Sequence, residues 1–483
     1  MEIKNKRLDD KAFERERKEV LSTWPTGKDV DIDEAVEFHK TLIPERNYAL
    51  KVADAKKNGK HLIRIDSGVA TLEGEIELFK CLQDEGGADL LGSIVDSFTR
   101  VNDYKQAENG LKESIKLGRT TLNGFPMVTH GVAAGRKVLE AVKLPVQLRS
   151  PAVDTRLVME MAMATGHTSV AGGAGVGAFL SFSRDATPEV DIHNGQYAFR
   201  LMAAYQEKGI PIVAECGFGF AHTIPYSLGF TQGIINAIAA AEQGLKQFIF
   251  GIYGQTGNLA QDVAGLLVMP KITEEYLRKL GYKPTSIATM SSAWGGVFPD
   301  DYAESFAVIA FSAVTAMLAR VQIVHVKTIF ESKTIPTKDA SAASLRAGKK
   351  IINMMKDQKI QLDNKALALE MKMLEIEIRA IMDKILELGD GDVLVGMRRG
   401  LDAGIIDPPF ATSRYVKGKV LAARDNEGAM RYLDHGNLPF NKEIIEFHKQ
   451  KLAEREKAQG RKIDYKNVVD DLLSIARGAL VNR

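Results

Sequence analysis

Cysteine is almost absent: only Cys81 and Cys216 occur in 483 residues, far apart in the chain. That excludes a disulfide framework, a CxxC metal site and a cysteine-held iron–sulfur cluster, and a reducing, cytoplasmic setting is expected. Net charge is nearly absent too, since 64 basic against 62 acidic residues leave +2. Nothing in that balance argues for a nucleic-acid or membrane surface. No uninterrupted apolar stretch of about 18 residues occurs, and the N-terminus MEIKNKRLDDKAFERERKEV is charged from the start, without the apolar region of a signal peptide. A soluble chain that is not exported is expected. There is no GxxxxGK[ST] phosphate loop, and the nine histidines form neither HxH nor HExxH, so no metal site is expected within this chain.

What is present is an alternation. Residues 1–58 are charged and helix-prone, broken by the turn at Trp24, Pro25, Thr26 and Gly27, and read as a helical extension. From about 59 to 336, short apolar runs alternate with helical patterns. The runs are HLIRID, LLGSIVDSF, FPMVT, LPVQLR, GIPIVAECGF, FIFGIY, SIATM and VQIVHVK, with a further one near AFLSF. Such alternation implies parallel strands with crossover helices. Eight or nine units over this length predict an α/β fold of the (β/α)8 TIM-barrel type rather than an open doubly wound sheet. From 337 to 483 the chain is expected to form an α-rich C-terminal extension. Its clearest helix spans 363–389, where Leu367, Met371, Leu374, Ile378, Ile381, Ile385 and Leu388 form one apolar stripe closed by Gly389. A core-facing helix laid on the barrel explains that stripe more simply than a subunit contact.

Three arginines, Arg64, Arg100 and Arg149, stand at or near the ends of apolar runs. Strand ends carry the chemistry of barrel enzymes, and an arginine fork suits a carboxylate or phosphate, so the three are a candidate anion clamp. Lys327 ends another run with Glu331 four residues on, a pair that a plain salt bridge would also explain. GGAGVGA at 172–178 has the spacing of a dinucleotide loop, but its flanks do not read as strand and helix, which argues against nucleotide binding. Trp294 beside Gly295 and Gly296 suits the approach of a flat ligand.

The segments STWPTGK, LQDEGGADLL, SFTR, LNGFP, KVLEAV, VKTIFE, IPTK and RDNEGAMRYLDHGNLPF together resemble the epsilon subunit of glutamate mutase (methylaspartate mutase), essentially end to end. The resemblance implies a barrel closed by a separate small cobalamin-binding subunit that carries a DxHxxG motif, which this chain lacks. It also implies adenosylcobalamin as cofactor, a radical carbon-skeleton rearrangement of a small-molecule acid, and a homodimer of this chain within a heterotetramer. By the same resemblance, Arg100 and Arg149 match two of three arginines that clamp substrate carboxylates. Gly68, Lys327 and Glu331 match positions that contact the adenosyl group, and Asn123 lies in the matching LNGFP loop.

The substrate side departs from the family pattern. Asp66 stands where the third clamp arginine is expected, Ala171 where a glutamate takes the substrate amino group, and Gly177 and Ser181 where two tyrosines line the substrate. Ser150 and Ser291 replace histidines. Putting a carboxylate where an arginine stood turns attraction to repulsion, worth on the order of several kcal/mol in a closed site. Arg64, two residues from Asp66 and hence on the same strand face, would restore the charge only for Asp66 to neutralise it. The expected function is a mutase whose substrate is not glutamate but a monocarboxylate held by Arg100 and Arg149. Its other arm would be a basic group facing Asp66 or a smaller uncharged group. Two alternatives stand beside it: ordinary glutamate mutase with contacts restored by Arg64, His167 or Glu215, and a non-catalytic barrel that partners a cobalamin-binding subunit.

Overall fold

Eight short strands form one parallel sheet in the computed structural model, which describes residues 3–172, 175–217, 224–360 and 362–481. They are β1 (Leu62–Ser67), β2 (Leu90–Ile94), β3 (Val146–Arg149), β4 (Val170–Ala171), β5 (Ala214–Glu215), β6 (Gln247–Tyr253), β7 (Ser286–Ser292) and β8 (Ile323–Val326). The spatial order is β4-β3-β2-β1-β8-β7-β6-β5. The Val213 amide donates to the Thr168 carbonyl across the remaining gap at 3.1 Å and closes the barrel. Crossover helices surround it, as parallel neighbours require.

The N-terminal extension folds as α1 (Asp10–Ser22), α2 (Ile32–Thr41) and α3 (Tyr48–Asn58), each with an Asp or Asn side chain capping its first turn. Helix α3 seals one end of the barrel. Its Tyr48, Ala49, Val52 and Ala55 form a single apolar cluster with Leu62, Leu90, Val213 and Ile323, which lie at or beside the N-terminal ends of their strands. With the bottom plugged, the C-terminal mouth is the end left for chemistry.

Two of the expected strands are not strands. FPMVT places Met127 at the start of the helix Met127–Glu140, with only Phe125 bridging to Val95, and AFLSF forms the short helix Phe179–Phe182. The fourth strand is instead the Val170–Ala171 pair. The boundary at 336 also moves: the helix Lys338–Met355 packs on β1, β8 and the first crossover helix, α4 (Leu72–Asp84), so it is the eighth barrel helix rather than the start of an extension.

The helix Lys365–Leu388 lies on the barrel helices Tyr226–Glu242 and Leu259–Lys279, and its buried stripe includes the predicted Leu367, Leu374, Ile378, Ile381 and Ile385. The core-facing explanation therefore holds. Beyond it the extension contains an antiparallel hairpin, Leu421–Arg424 with Met430–Asp434. The RDNEG segment makes that hairpin's turn: the Asp425 carboxylate accepts from the amides of Glu427 and Ala429 and from Arg431 Nε.

At the mouth, the loop after β1 is held by Glu75 in the first turn of α4. Its fully buried carboxyl accepts from the Val69 amide (2.9 Å) and Ser93 Oγ (2.7 Å), and burial pushes it up to about 8 from an ordinary 4.5. Because its pKa rises on folding, the folded state binds the extra proton. The resulting stability is full below about 4.5 and is lost as pH rises toward about 8. Glu75→Gln should remove that decline, worth a few kcal/mol at ~1.4 kcal/mol per unit. Denaturant melts at either end of this range would show a shallower pH dependence for the variant; an unchanged slope would contradict it.

Candidate active site at the barrel mouth

Strand alternation turns every second side chain inward, and the partners show which ones. From β1 these are Leu62, Arg64 and Asp66; from β3, Gln147 and Arg149; from β5, Glu215; from β8, His325. Residue 92 of β2, paired in register with Asp66, is glycine, and a Cβ there would collide with the Asp66 carboxylate. The missing side chain is what lets an acid occupy this layer.

Arg64 lies deepest, with 0% of its surface exposed. Its Nε is 3.0 Å from Asp66 Oδ1, and its Nη1 reaches Glu215 Oε2 and the Tyr48 hydroxyl, both at 3.1 Å, together with Gln147 Oε1. Gln147 in turn donates to Glu215 (2.9 Å) and to Ser169 Oγ (2.8 Å). Arg149, one layer higher, has Nε 3.3 Å from Asp66 Oδ2 and Nη1 3.7 Å from Glu215 Oε1, with its guanidinium over the Tyr253 ring at 5.3 Å. His325 completes the set, Nε2 3.2 Å from Asp66 Oδ2 and Nδ1 2.8 Å from Ser292 Oγ.

The electrostatics follow from these contacts. Burial alone would raise the Asp66 carboxyl, but Arg64, His325 and Arg149 hold it well below the usual carboxylate range. Glu215 is likewise lowered against its burial by Arg64 and Arg149, helped by hydrogen bonds from Tyr253 and Gln147. Burial lowers the Arg64 guanidinium less than Asp66, Tyr48 and Glu215 raise it, so it stays fully charged. His325 is pushed by burial down to about 4 and is neutral at neutral pH. Two guanidiniums and two carboxylates thus balance inside the barrel.

Arg100 is different. It ends the four-residue helix Ser97–Arg100 after β2, its Nε donates to the Val95 carbonyl at 2.6 Å, and no carboxylate pairs with it among the described residues. Burial and the neighbouring Arg149 charge lower its pKa, and the Asp96 carboxylate nearby offsets them only in part.

The other expected site residues also lie at this end. Lys327, just past β8, pairs with Glu331 at 3.1 Å, and both stay partly exposed. Asn123 accepts from the Ser97 amide at 2.9 Å and ties two mouth loops together. Gly68, after β1, has no room for a side chain: a Cβ would sit 2.7 Å from the Ile94 carbonyl and 3.1 Å from Gly124 Cα.

Several expectations change on this geometry. Arg64 lies a layer deeper than Arg149, with none of its surface exposed at the mouth. Ser291 points outward, accepting from Gln255 Nε2, and Ser292 is the inward residue. His167 packs on Thr165 and Ala162 at the foot of β4, buried and lowered to about 4, away from the mouth. Gly177 adopts a φ of +100° with Gln232 against it, which no tyrosine could occupy; Ser181 lies in the short helix behind it. The GGAGVGA segment does follow a strand, but its Gly173 and Ala174 lie outside the described residues. The amides of Gly177 and Phe179 donate to the buried Asp191 rather than awaiting a phosphate. Trp294 is buried with Nε1 donating to the Val297 carbonyl, and it lines a cavity together with Gln255, Pro299 and Phe311 rather than the charged layer of the barrel. Tyr48, Gly92, Gln147, Tyr253 and His325 join the site from five different elements; period-two alternation from Arg149 points to Gln147, and no local pattern points to the other four.

Residues 42–483 match the family model described as methylaspartate mutase E chain (MutE). Curated relatives include the glutamate mutase epsilon subunit of Desulfitobacterium hafniense (strain Y51), 43% identical over 100% of this chain and 99% of that protein. The protein of the same name from Treponema denticola is 42% identical over the same shares, and that from Escherichia coli O157:H7 is 38% identical over 100% of both chains.

Removing Arg64 would strand two buried carboxylates. Arg64→Met is expected to destabilise the fold by about 3–5 kcal/mol, and Gly92→Ala by a smaller amount through displacement of Asp66. Urea unfolding measures both; wild-type stability of Arg64→Met would show that the network carries no structural charge.

Proposed function

The chain belongs to the methylaspartate mutase E chain family, and on that premise we propose that it is the large catalytic subunit of an adenosylcobalamin-dependent carbon-skeleton mutase whose substrate is not glutamate. The observation that carries the second half is Asp66. In the expected position of a clamp arginine it is ion-paired with Arg64 and Arg149, lies 3.2 Å from His325 Nε2, and joins Glu215 in cancelling two guanidiniums. Glutamate presents two carboxylates and an ammonium. This mouth has one uncommitted cation among its described residues, and the acid expected for the ammonium is Ala171, inward beside Arg149 at the end of β4.

The cofactor side of the mouth fits an adenosyl group. Lys327 and Glu331 offer a donor and an acceptor suited to ribose hydroxyls, and Gly68 keeps the β1 loop close against Ile94, where any side chain would intrude. Adenosylcobalamin, when bound, supplies the radical chemistry; this chain's part is to hold the acid, orient it and keep water out. Arg100 and Arg149 bind the carboxylate, and Arg64, Gln147 and Tyr253 keep Glu215 and Arg149 in place beneath it.

Large apolar side chains are exposed on loops and helix starts that follow the strands, among them Phe98, Val101 (69% exposed), Phe182, Val297 and Tyr302. They support docking of a small cobalamin-binding subunit over the mouth, in an assembly with two copies of this chain. Among the described residues no helix is long and apolar enough to cross a membrane, and a cytoplasmic location is proposed.

Reconstitution with a DxHxxG cobalamin-binding subunit and adenosylcobalamin tests the reading, with products followed by NMR over a panel of acids. Glutamate is expected to be a poor substrate and a monocarboxylic acid a good one; efficient turnover of glutamate alone would sink the proposal. Lys327→Met should raise the cofactor KM by about tenfold (~1.4 kcal/mol), and an unchanged KM would remove Lys327 from the adenosyl site.

A further inference from the structure

The barrel's own charges restrict its ligand beyond the choice of monocarboxylate scaffold. We infer that the acid held at this mouth carries one carboxylate and no second ionised group, and that Asp66 is the residue that sets this limit. The inference rests on the reading of the mouth as the substrate site and deepens it.

An added ammonium would need an acid whose charge is not already balanced. Asp66 is ion-paired with Arg64 at 3.0 Å and with Arg149 at 3.3 Å and has His325 Nε2 at 3.2 Å, although neither of its oxygens accepts a hydrogen bond from them. Glu215 receives Arg64, Gln147 and Tyr253, with Arg149 at 3.7 Å. Asp96 beside Arg100 has its oxygens on the amides of Phe98 and Thr99 and on the Thr99 hydroxyl, capping the helix Ser97–Arg100. Glu331 is paired with Lys327. No carboxylate among these is left for a basic arm, so the diamino-acid option is disfavoured.

A second carboxylate would need a second free cation. Arg64 is sealed beneath the mouth, Arg149 already faces two acids, and Lys327 has Glu331. Arg100 alone of these forms no ion pair with a carboxylate among the described residues, and it lies next to the Arg149 guanidinium. One carboxylate between Arg100 and Arg149 relieves their repulsion; a further anion would meet Asp66 and Glu215 in a site with no compensating charge.

Calorimetric titration of the full chain with isobutyrate, butyrate, glutarate, glutamate and 2,4-diaminobutyrate tests this without cobalamin or the partner. The inference can therefore fail while mutase turnover is still observed, and the reverse. Isobutyrate or butyrate should bind about tenfold tighter than the doubly charged acids. Arg100→Met should abolish that binding and Arg100→Lys retain part of it. Asp66→Asn, which frees half the balance of Arg64 and Arg149, should improve glutarate binding by about tenfold more than it improves isobutyrate binding. The inference is overturned if wild type prefers glutarate, glutamate or diaminobutyrate, if it binds none of the probes, or if Asp66→Asn folds and gains nothing for glutarate.

Discussion

A guanidinium in the dry centre of a barrel is the constraint from which the rest of this structure follows. Arg64 is sealed from bulk solvent, so its charge must be met from within the barrel, and leaving a buried charge unmet costs several kcal/mol. Asp66 meets it from the same strand and Glu215 from the opposite wall. Each acid then requires further donors, which Gln147, Tyr253, His325 and Arg149 provide. Gly92 is glycine because the Asp66 carboxylate fills the space its side chain would take. Even the bottom plug takes part, since the Tyr48 hydroxyl of α3 accepts from Arg64.

The network has a consequence one layer up. A family of barrel mutases that handles a doubly charged acid needs cations at its mouth, and here two of three candidate arginines are already balanced by the protein. Arg100 is left as the charge without an ion pair, the close-packed Gly68 loop lies against the end of β2 that leads to it, and the Lys327–Glu331 pair follows β8. The division suits an enzyme that keeps its cofactor chemistry and changes its substrate.

Much of this was legible in the chain and some was not, for physical reasons. The barrel could be read because the longer strands repeat apolar runs between helices, and Arg64 with Asp66 could be placed on one face because side chains alternate along a strand. The strands β4 and β5 are two residues each, too short to show a period, so β4 went unseen and AFLSF was taken for it. The eighth barrel helix lies beyond Pro336, where composition had already turned charged and helical. Glu215 was only one of several candidates because it meets Arg64 across 151 positions, a contact that no local pattern encodes.

The measurement that bears most directly on this account is a crystal structure of the chain soaked with isobutyrate. The account predicts the carboxylate between Arg100 and Arg149, with Arg64 still bound to Asp66 and Glu215 beneath it. Electron density showing Arg64 released from Asp66 and turned toward the ligand would contradict it.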